Sequence, residues 1–125
     1  MVTSEQDSLY ALYTKGMALL EAGDYEQATV PLRKAARLAP EKSSVREALG
    51  RALFRSRRFE EAVPEFEAVL ERYPVNDYAH FCLGRALTLI GDRDRARRHL
   101  AIAANLRPER RDYRLYRERL RARAG

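Results

Sequence analysis

His80 and Cys82 are the only soft metal ligands that stand near one another in this sequence, and their spacing separates them. His80 and Cys82 are two residues apart, so on a helix their side chains would point about 200° away from each other. His99 has no companion. Because metal sites hold three or four convergent ligands, we predict no metal site in this chain.

Residue patterns that support catalysis are also missing from the sequence. Nucleophilic catalysis needs a nucleophile, an adjacent base and an orienting group, and no Ser, Thr or Cys stands in a recognisable elbow. The glycines are scattered singly, so they cannot build a loop that cradles phosphate. The acidic pair Glu60 and Glu61 is better suited to the positive end of a helix than to acid–base chemistry. We therefore predict no enzyme activity, no catalytic residue and no cofactor.

An internal repeat of 34 residues organises the chain, over residues 9–42, 43–76 and 77–110. Each unit has a glycine in its first half and a closing proline, with small and apolar residues recurring between them. The invariant columns are Gly16, Gly50 and Gly84; Ala18, Ala52 and Ala86; Leu19, Leu53 and Leu87; Ala28, Ala62 and Ala96; and Pro40, Pro74 and Pro108. Because a proline cannot continue a helix, each unit is bounded, and the pattern predicts three helix pairs.

A turn inside each unit predicts where the first helix ends and the second begins. Gly23 and Gly91 can take the left-handed conformation after a helix, and Asp24 and Asp92 can cap the helix that follows. The second unit has Arg57 at the position where glycine is easiest, so we expect this turn to be less stable than the other two.

These signals predict an all-α chain. Pro31 and Pro64 fall inside second helices, where each should bend the helix or loosen a hydrogen bond. The predicted helices cover roughly residues 4–21, 25–38, 43–56, 59–72, 77–90, 93–106 and 110–123.

The two ends of the chain carry signals of their own. Ser4 and Asp7 have the spacing of a capping box, which predicts that the first helix begins before the repeat. Tyr113, Tyr116 and Leu120 recur at helical spacing in the last segment. We interpret this segment as an amphipathic helix that covers the open apolar face of the third unit.

The repeated residues resemble the tetratricopeptide repeat family, whose pattern carries a Leu-Gly pair in the first helix, a small residue early in the second and a closing proline. Here the Leu-Gly pair stands at residues 49–50 and 83–84, with the alanines and prolines of the columns above. The resemblance covers residues 9–110. It implies a single domain, residues 1–125, that forms an α-α superhelix of three helix-turn-helix repeats with residues 111–125 as a capping helix.

The resemblance also implies a concave groove, lined by the first helix of each unit, in which a peptide or helix of another protein would bind. The groove positions lie six and three residues before each repeated glycine and one and four after it. They are Tyr10, Tyr13, Met17 and Leu20; Ser44, Glu47, Arg51 and Phe54; and Tyr78, Phe81, Arg85 and Thr88. Aromatic residues, Met and Arg are enriched at interfaces, which favours a non-enzymatic adaptor or scaffold. Tyr10 and Tyr78 could instead cover helix ends, and Phe54 could belong to the core.

Arg51 and Arg85 occupy the same column in neighbouring units, so they could converge on one anionic group. This column predicts a protein or peptide partner with apolar and acidic groups. Glu47 stands four residues before Arg51 and three after Ser44, so it could pair with the arginine or complete a capping box. The Glu47 carboxylate could therefore already neutralise part of the positive charge that a ligand would meet.

The net charge of +6 is concentrated near the C-terminus. Residues 91–125 hold 12 basic and five acidic side chains, whereas residues 1–90 hold 12 basic and 13 acidic ones. A basic surface can bind nucleic acid or an anionic membrane, and it can equally be a solvated helix face. Electrostatic binding through residues 91–125 is therefore a second hypothesis. Self-association through the ends of the solenoid, which would give a homo-oligomer, is a third.

The composition, 46% hydrophobic and 34% charged, is that of a globular protein, and no apolar run is long enough to span a bilayer. The first residues lack the basic start and apolar stretch of a secretion signal, and the single Cys82 cannot form an internal disulfide. We therefore expect a cytoplasmic location.

Overall fold

The computed structural model describes residues 5–124, with side chains from 8 to 122, and this part of the chain folds into seven α-helices. The predicted boundaries are confirmed to within one residue, whereas Ser4 and its capping box lie outside the described residues. None of these helices is long and apolar enough to cross a membrane. The helices are α1 (Glu5–Ala22), α2 (Tyr25–Leu38), α3 (Ser43–Arg55), α4 (Phe59–Arg72), α5 (Asp77–Ile90), α6 (Arg93–Leu106) and α7 (Arg111–Ala124).

The helices stack in chain order as an all-α superhelix. Each helix packs against the next one, so that α1–α2, α3–α4 and α5–α6 form the three pairs that the repeat predicts. The first helices of successive pairs also contact each other, α1 with α3 and α3 with α5. These contacts place the three first helices on the inner side of the curve, where the groove residues were predicted.

The repeated glycines of the first helices make room for a large side chain of the paired helix. A methyl group added at Gly84 would lie 2.7 Å from Leu100 Cγ, and one at Gly50 would lie 2.9 Å from Phe66 Cζ. A methyl group added at Gly16 would lie closer still to the Leu32 side chain. Leu32, Phe66 and Leu100 are all buried. Each glycine therefore forms a seat that fixes the distance between the two helices of its unit.

The turns within the units adopt the left-handed conformation predicted for them. Gly23 and Gly91 have φ angles of 85° and 93°, and Arg57 has a φ of 67° in the same place. A side chain is unfavourable in this region by roughly 1 kcal/mol or more. The expectation that the second turn is less stable is thus supported by its backbone geometry.

Replacing Arg57 by Gly is expected to stabilise the chain by about 1 kcal/mol relative to Arg57→Ala. Both variants lose the guanidinium that lies 5.4 Å from the Phe59 ring centroid, so the comparison isolates the backbone effect. Urea denaturation of the two variants measures the difference. Equal midpoints would show that the left-handed angle of residue 57 carries no strain.

The capping role predicted for Asp24 is wrong, whereas that of Asp92 is confirmed. The Asp92 carboxylate accepts the backbone N–H of Arg95 at 3.4 Å, and the Arg95 guanidinium lies 3.8 Å from the same carboxylate. Asp24 makes no side-chain cap, and Gln27 stands where unit three has Arg95. Without that neighbouring cation, the Asp24 carboxylate stays exposed to water.

Pro31 and Pro64 lie inside α2 and α4, as predicted, and both helices continue through them. Each proline removes one backbone donor from its helix. The bend expected at each of them stays a prediction.

The side chain six residues after each closing proline forms a hydrogen bond with the carbonyl oxygen of that proline. Because the proline carbonyls lie where the chain leaves a second helix, this contact ties the next first helix to the end of the preceding unit. The pairs are Arg46 Nε with Pro40 O at 3.0 Å, His80 Nε2 with Pro74 O at 2.7 Å, and Arg114 Nη1 with Pro108 O.

The last helix, α7, packs mainly against α6 and reaches α5 through its aromatic residues. Tyr113 is fully buried and Leu120 nearly so, as the helical spacing predicted. The Tyr113 hydroxyl donates to Asp77 Oδ2 at 2.7 Å. This bond and the nearby Arg107 hold the pKa of Asp77 below its ordinary value, although burial acts in the opposite direction.

Candidate ligand-binding groove

A pocket of about 170 Å³ opens on the inner side of the superhelix, between the first helices. We call it the central pocket. It brings together five of the predicted groove residues with two that were not predicted. Its walls are Leu20, Arg51, Phe54, Tyr78 and Arg85, together with Tyr25 and Arg55. Cations and aromatic rings therefore meet at one place on three successive units.

Two of the pocket's arginines are held by aromatic rings. The Arg55 guanidinium lies 4.3 Å from the Tyr25 ring centroid, and the Arg85 guanidinium lies 5.0 Å from that of Phe54. Among the side chains that the structure describes, Arg51 forms no ion pair within 4.0 Å. An aromatic face leaves the N–H donors at the guanidinium edge free, so all three cations can meet an anionic ligand.

Glu47 does not take either role that its spacing allowed. It forms no ion pair with Arg51 within 4.0 Å in the described part of the chain. Helix α3 begins at Ser43 after Lys42, so Ser44 lies inside the helix and cannot be its cap. Burial raises the pKa of Glu47, and the positive charge of Arg51 opposes this only in part. The Glu47 carboxylate therefore leaves Arg51 without an ion-pair partner within 4.0 Å among the described side chains, and it is not part of the pocket wall.

Phe81 was predicted in the groove but lies beneath α7, with 6% of its surface exposed. Its ring centroid is 4.6 Å from that of Tyr113 and 5.4 Å from that of Tyr116. The prediction treated the inner face of α5 as open, whereas α7 folds over part of it. Arg85, one turn further along, lies 5.8 Å from the Phe81 ring and 4.5 Å from that of Tyr116.

The remaining predicted residues lie outside the central pocket. Tyr10 is 72% exposed, and Tyr13 and Met17 are partly buried against the core. Thr88 donates its hydroxyl to the Gly84 carbonyl at 2.8 Å and faces another cavity beside α7. Ser44 is exposed.

The two unpredicted pocket residues come from positions that the repeat rule did not consider. Tyr25 begins α2, the second helix of the first unit, and Arg55 ends α3. Both lie at the turn between a first and a second helix, so a rule based on first helices alone overlooks them. The stacking of Arg55 on Tyr25 depends on contact between two units, which no local spacing encodes.

Tyr78 and Cys82 lie one turn apart on α5, next to the central pocket. Burial and the neighbouring Cys82 raise the pKa of Tyr78 above its ordinary range. Burial raises the pKa of Cys82 to about 12, against the effects of Tyr78 and the nearby arginines. Both groups are therefore neutral at physiological pH, and the thiol is a poor nucleophile.

The statement that His99 has no companion is wrong. Its Nδ1 lies 3.0 Å from His80 Nδ1, and the two rings stack across α5 and α6. Since His80 Nε2 faces the Pro74 carbonyl at 2.7 Å, it carries a proton, and His99 Nδ1 donates to His80 Nδ1 when both rings are neutral. Within the described residues, no group of three His, Cys, Asp or Glu could hold a metal ion.

Many of the arginines in α6, in α7 and in the segment between them have acidic partners close by, which moderates the basic surface of residues 91–125. These contacts offset charge locally, and exposed pairs of this kind contribute little to stability. The pairs are Arg95–Glu67, Arg97–Asp94, Arg107–Asp77, Arg110–Asp112, and Arg117 and Arg121 with Glu118.

Comparison with known proteins agrees with this architecture. A family model described as tetratricopeptide repeat matches residues 13–77 and 47–91, which together are more than half of the chain. The chain belongs to the tetratricopeptide repeat family. This family provides protein-interaction scaffolds and is generally non-enzymatic. A comparison with curated proteins finds no match.

Solved structures of tetratricopeptide repeat proteins superpose on most of the chain. MamA from Desulfovibrio magneticus RS-1 is 26% identical with a TM-score of 0.89, and the match covers 93% of this chain and 66% of that one. This chain thus spans slightly less than two thirds of that MamA structure.

Two further neighbours, both 18% identical, show likeness in fold alone. The first repeat domain of Spaghetti (RPAP3), bound to the HSP90 peptide SRMEEVD, has a TM-score of 0.87, with 98% of each chain covered. The Yersinia enterocolitica secretion chaperone SycD, in complex with a peptide of the translocator YopD, has a TM-score of 0.76, with 96% of this chain and 90% of that chain covered.

Proposed function

We propose that this chain is a non-enzymatic adaptor that binds a peptide or helix of a partner protein in its concave groove. The ligand carries apolar anchors and at least one acidic group. The observation that carries the proposal is the central pocket, in which Arg51, Arg55 and Arg85 stand beside three aromatic rings. Arg and aromatic residues are the types that contribute most to binding at interfaces.

The electrostatics of the pocket favour a carboxylate on the ligand. Arg51 lacks an ion-pair partner within 4.0 Å among the described side chains, and Arg55 and Arg85 are placed by stacking on Tyr25 and Phe54. A planar guanidinium can bind a carboxylate through two parallel hydrogen bonds. Because Arg55 and Arg85 are already positioned, less side-chain entropy is lost at these two residues when a ligand binds.

The structural neighbours support binding of a peptide rather than a small molecule. The RPAP3 domain and SycD were each solved with a peptide, and each superposes on more than nine tenths of this chain. The groove is thus compatible in its backbone with a peptide-length ligand. The side chains of the central pocket give it a specificity of its own.

Replacing Arg51 by Glu is expected to weaken capture of protein partners from the source cell lysate by about tenfold or more, because the pocket then repels the ligand's carboxylate. Arg51 is a better choice than Arg85, whose guanidinium packs on three aromatic rings. Arg37→Glu is the matched control, since it makes the same charge change at an exposed position in the last turn of α2. The measurement compares the captured proteins at low and high salt.

Equal capture by the folded Arg51→Glu and Arg37→Glu proteins would contradict the proposal. Capture that disappears on nuclease treatment, or falls steeply with salt for both variants, would indicate that the basic C-terminal surface binds nucleic acid instead. Circular dichroism establishes that both variants are folded. Because Arg37 is exposed, its substitution should alter stability by only about 0.5 kcal/mol.

A further inference from the structure

A second cavity, of about 440 Å³, lies beside the C-terminal half of α7. We call it the cap cavity. Helices α5, α6 and α7 all contribute to its wall, and Arg85 is the one residue that it shares with the central pocket. Cavities of this size hold ligands, whereas packing defects in a core are usually smaller than a few water molecules.

The lining of the cap cavity is mainly apolar. Leu100 and Leu120, which are buried, and Leu89, which is 52% exposed, contribute to this lining. An exposed leucine beside an open apolar cavity favours an occupant with a bulky apolar group, because contact with it removes this surface from water. The cavity is therefore suited to an apolar anchor.

Two cations flank the aromatic ring at the cavity wall. The guanidinium groups of Arg85 and Arg119 lie 4.5 and 4.9 Å from the ring centroid of Tyr116. Neither arginine forms an ion pair within 4.0 Å among the described side chains. The neighbouring Glu118 is engaged by Arg117 and Arg121 instead. Two positioned and unpaired cations next to an apolar cavity complement a carboxylate next to an apolar side chain.

We propose that the cap cavity binds a bulky apolar side chain of the groove ligand while Arg85 and Arg119 bind an acidic side chain a few residues away. This inference rests on the proposed function, since Arg85 lines both the cap cavity and the central pocket and could contact one ligand from either. The partner is a protein segment in which an acidic residue closely precedes or follows a large apolar residue. Helix α7 is then part of the binding surface in addition to packing on the third unit.

The test is selection from a displayed library of random 12-residue peptides on the wild-type chain. Selected peptides should pair a bulky apolar residue with Asp or Glu. Ala122→Trp, at an exposed site on the cavity wall, should fill the cavity and weaken the best selected peptide at least tenfold in a fluorescence polarisation titration. Leu89→Glu should weaken it similarly. Ala18→Trp, at an exposed site of α1 that lines neither cavity, should leave it unchanged.

The outcomes separate this inference from the proposed function. Peptide binding that falls with Arg51→Glu but not with Ala122→Trp or Leu89→Glu would overturn the cap cavity alone. A wild-type chain that selects no peptide would contradict both proposals. Decanoate serves as a probe for a free apolar anion. If the chain selects no apolar–acidic peptide but binds decanoate saturably, the occupant of the cap cavity is lipid-like and the inference is overturned. Melting temperatures of all variants establish that each is folded.

Discussion

Removing residues 111–125 is expected to destabilise the chain by several kcal/mol and to lower its melting temperature by roughly 10 °C or more. The reason is the burial of Tyr113 and Leu120 and the cover that α7 gives to Phe81. Without α7, the apolar faces of α5 and α6 meet water, and aggregation should follow. Thermal melting and light scattering of the truncated chain measure both effects.

Point variants at Tyr113 divide this effect into its parts. Tyr113→Ala should lower the free energy of unfolding by about 3–5 kcal/mol, as is usual for a buried aromatic residue. Tyr113→Phe should lower it by only about 1 kcal/mol, because it removes the hydrogen bond to Asp77 and keeps the ring. Arg111→Ala, at an exposed site of the same helix, is the matched control and should have little effect.

A truncated chain that is monomeric and as stable as the full chain would show that α7 does not cover the third unit. If that chain also lost affinity for nucleic acid or for vesicles of anionic lipid, residues 111–125 would be an electrostatic binding surface. The result would then favour the second hypothesis drawn from the basic C-terminal sequence.

Lowering the pH from 7 to 5 is expected to destabilise the chain by about 1–2 kcal/mol through protonation of His99, after allowance for its partial exposure. Burial, His80 and the nearby Arg95 and Arg98 lower the pKa of His99 to about 4, while Glu67 opposes them. In the unfolded chain the His99 imidazole takes up a proton near pH 6.5, whereas in the folded chain it does so only near pH 4. The contribution of the neutral His99 to stability is therefore fully present above about pH 6.5 and is lost progressively as the pH falls to about 4.

The second unit supplies a control for the histidine pair. Arg46 and Glu65 occupy the positions 34 residues before His80 and His99, and they form an ion pair at 2.9 Å. The double variant His80→Arg/His99→Glu transfers that pair to the third unit. Urea denaturation at pH 7 and pH 5 should show little loss for it compared with the wild type. An equal loss in both proteins would place the pH dependence in other groups.

The helices could be predicted to within one residue because each repeat contains residues that end a helix. The turn glycines Gly23 and Gly91 and the closing prolines mark helix ends by backbone geometry alone. Arg57 adopts the same left-handed angle without being glycine, so the repeat register located the turn where composition would not have done. Signals of this kind are local and need no knowledge of packing.

The candidate site was only partly predictable, since it depends on contacts between units. Arg51 and Arg85 meet in one pocket because their column repeats. The burial of Phe81 could not be predicted from its column, because it depends on how α7 packs. The His80–His99 contact was missed because only neighbouring residues were compared, although an alignment with the opposite charges of Arg46 and Glu65 contained the signal.

Each repeated glycine leaves space for a large side chain of the next helix, but the residue 34 positions after Gly84 is not a glycine. The equivalent residue of α7 is Glu118, whose side chain is 54% exposed and pairs with Arg117 and Arg121 at 3.0 and 3.2 Å. A helix that approached α7 as α6 approaches α5 would press a large side chain onto this hydrated carboxylate and displace its ion pairs. Open-ended helical repeats can grow into filaments by stacking one molecule on the next. A further helix stacked on this face of α7 would therefore meet a charged residue, whereas each earlier unit has a glycine at the same position.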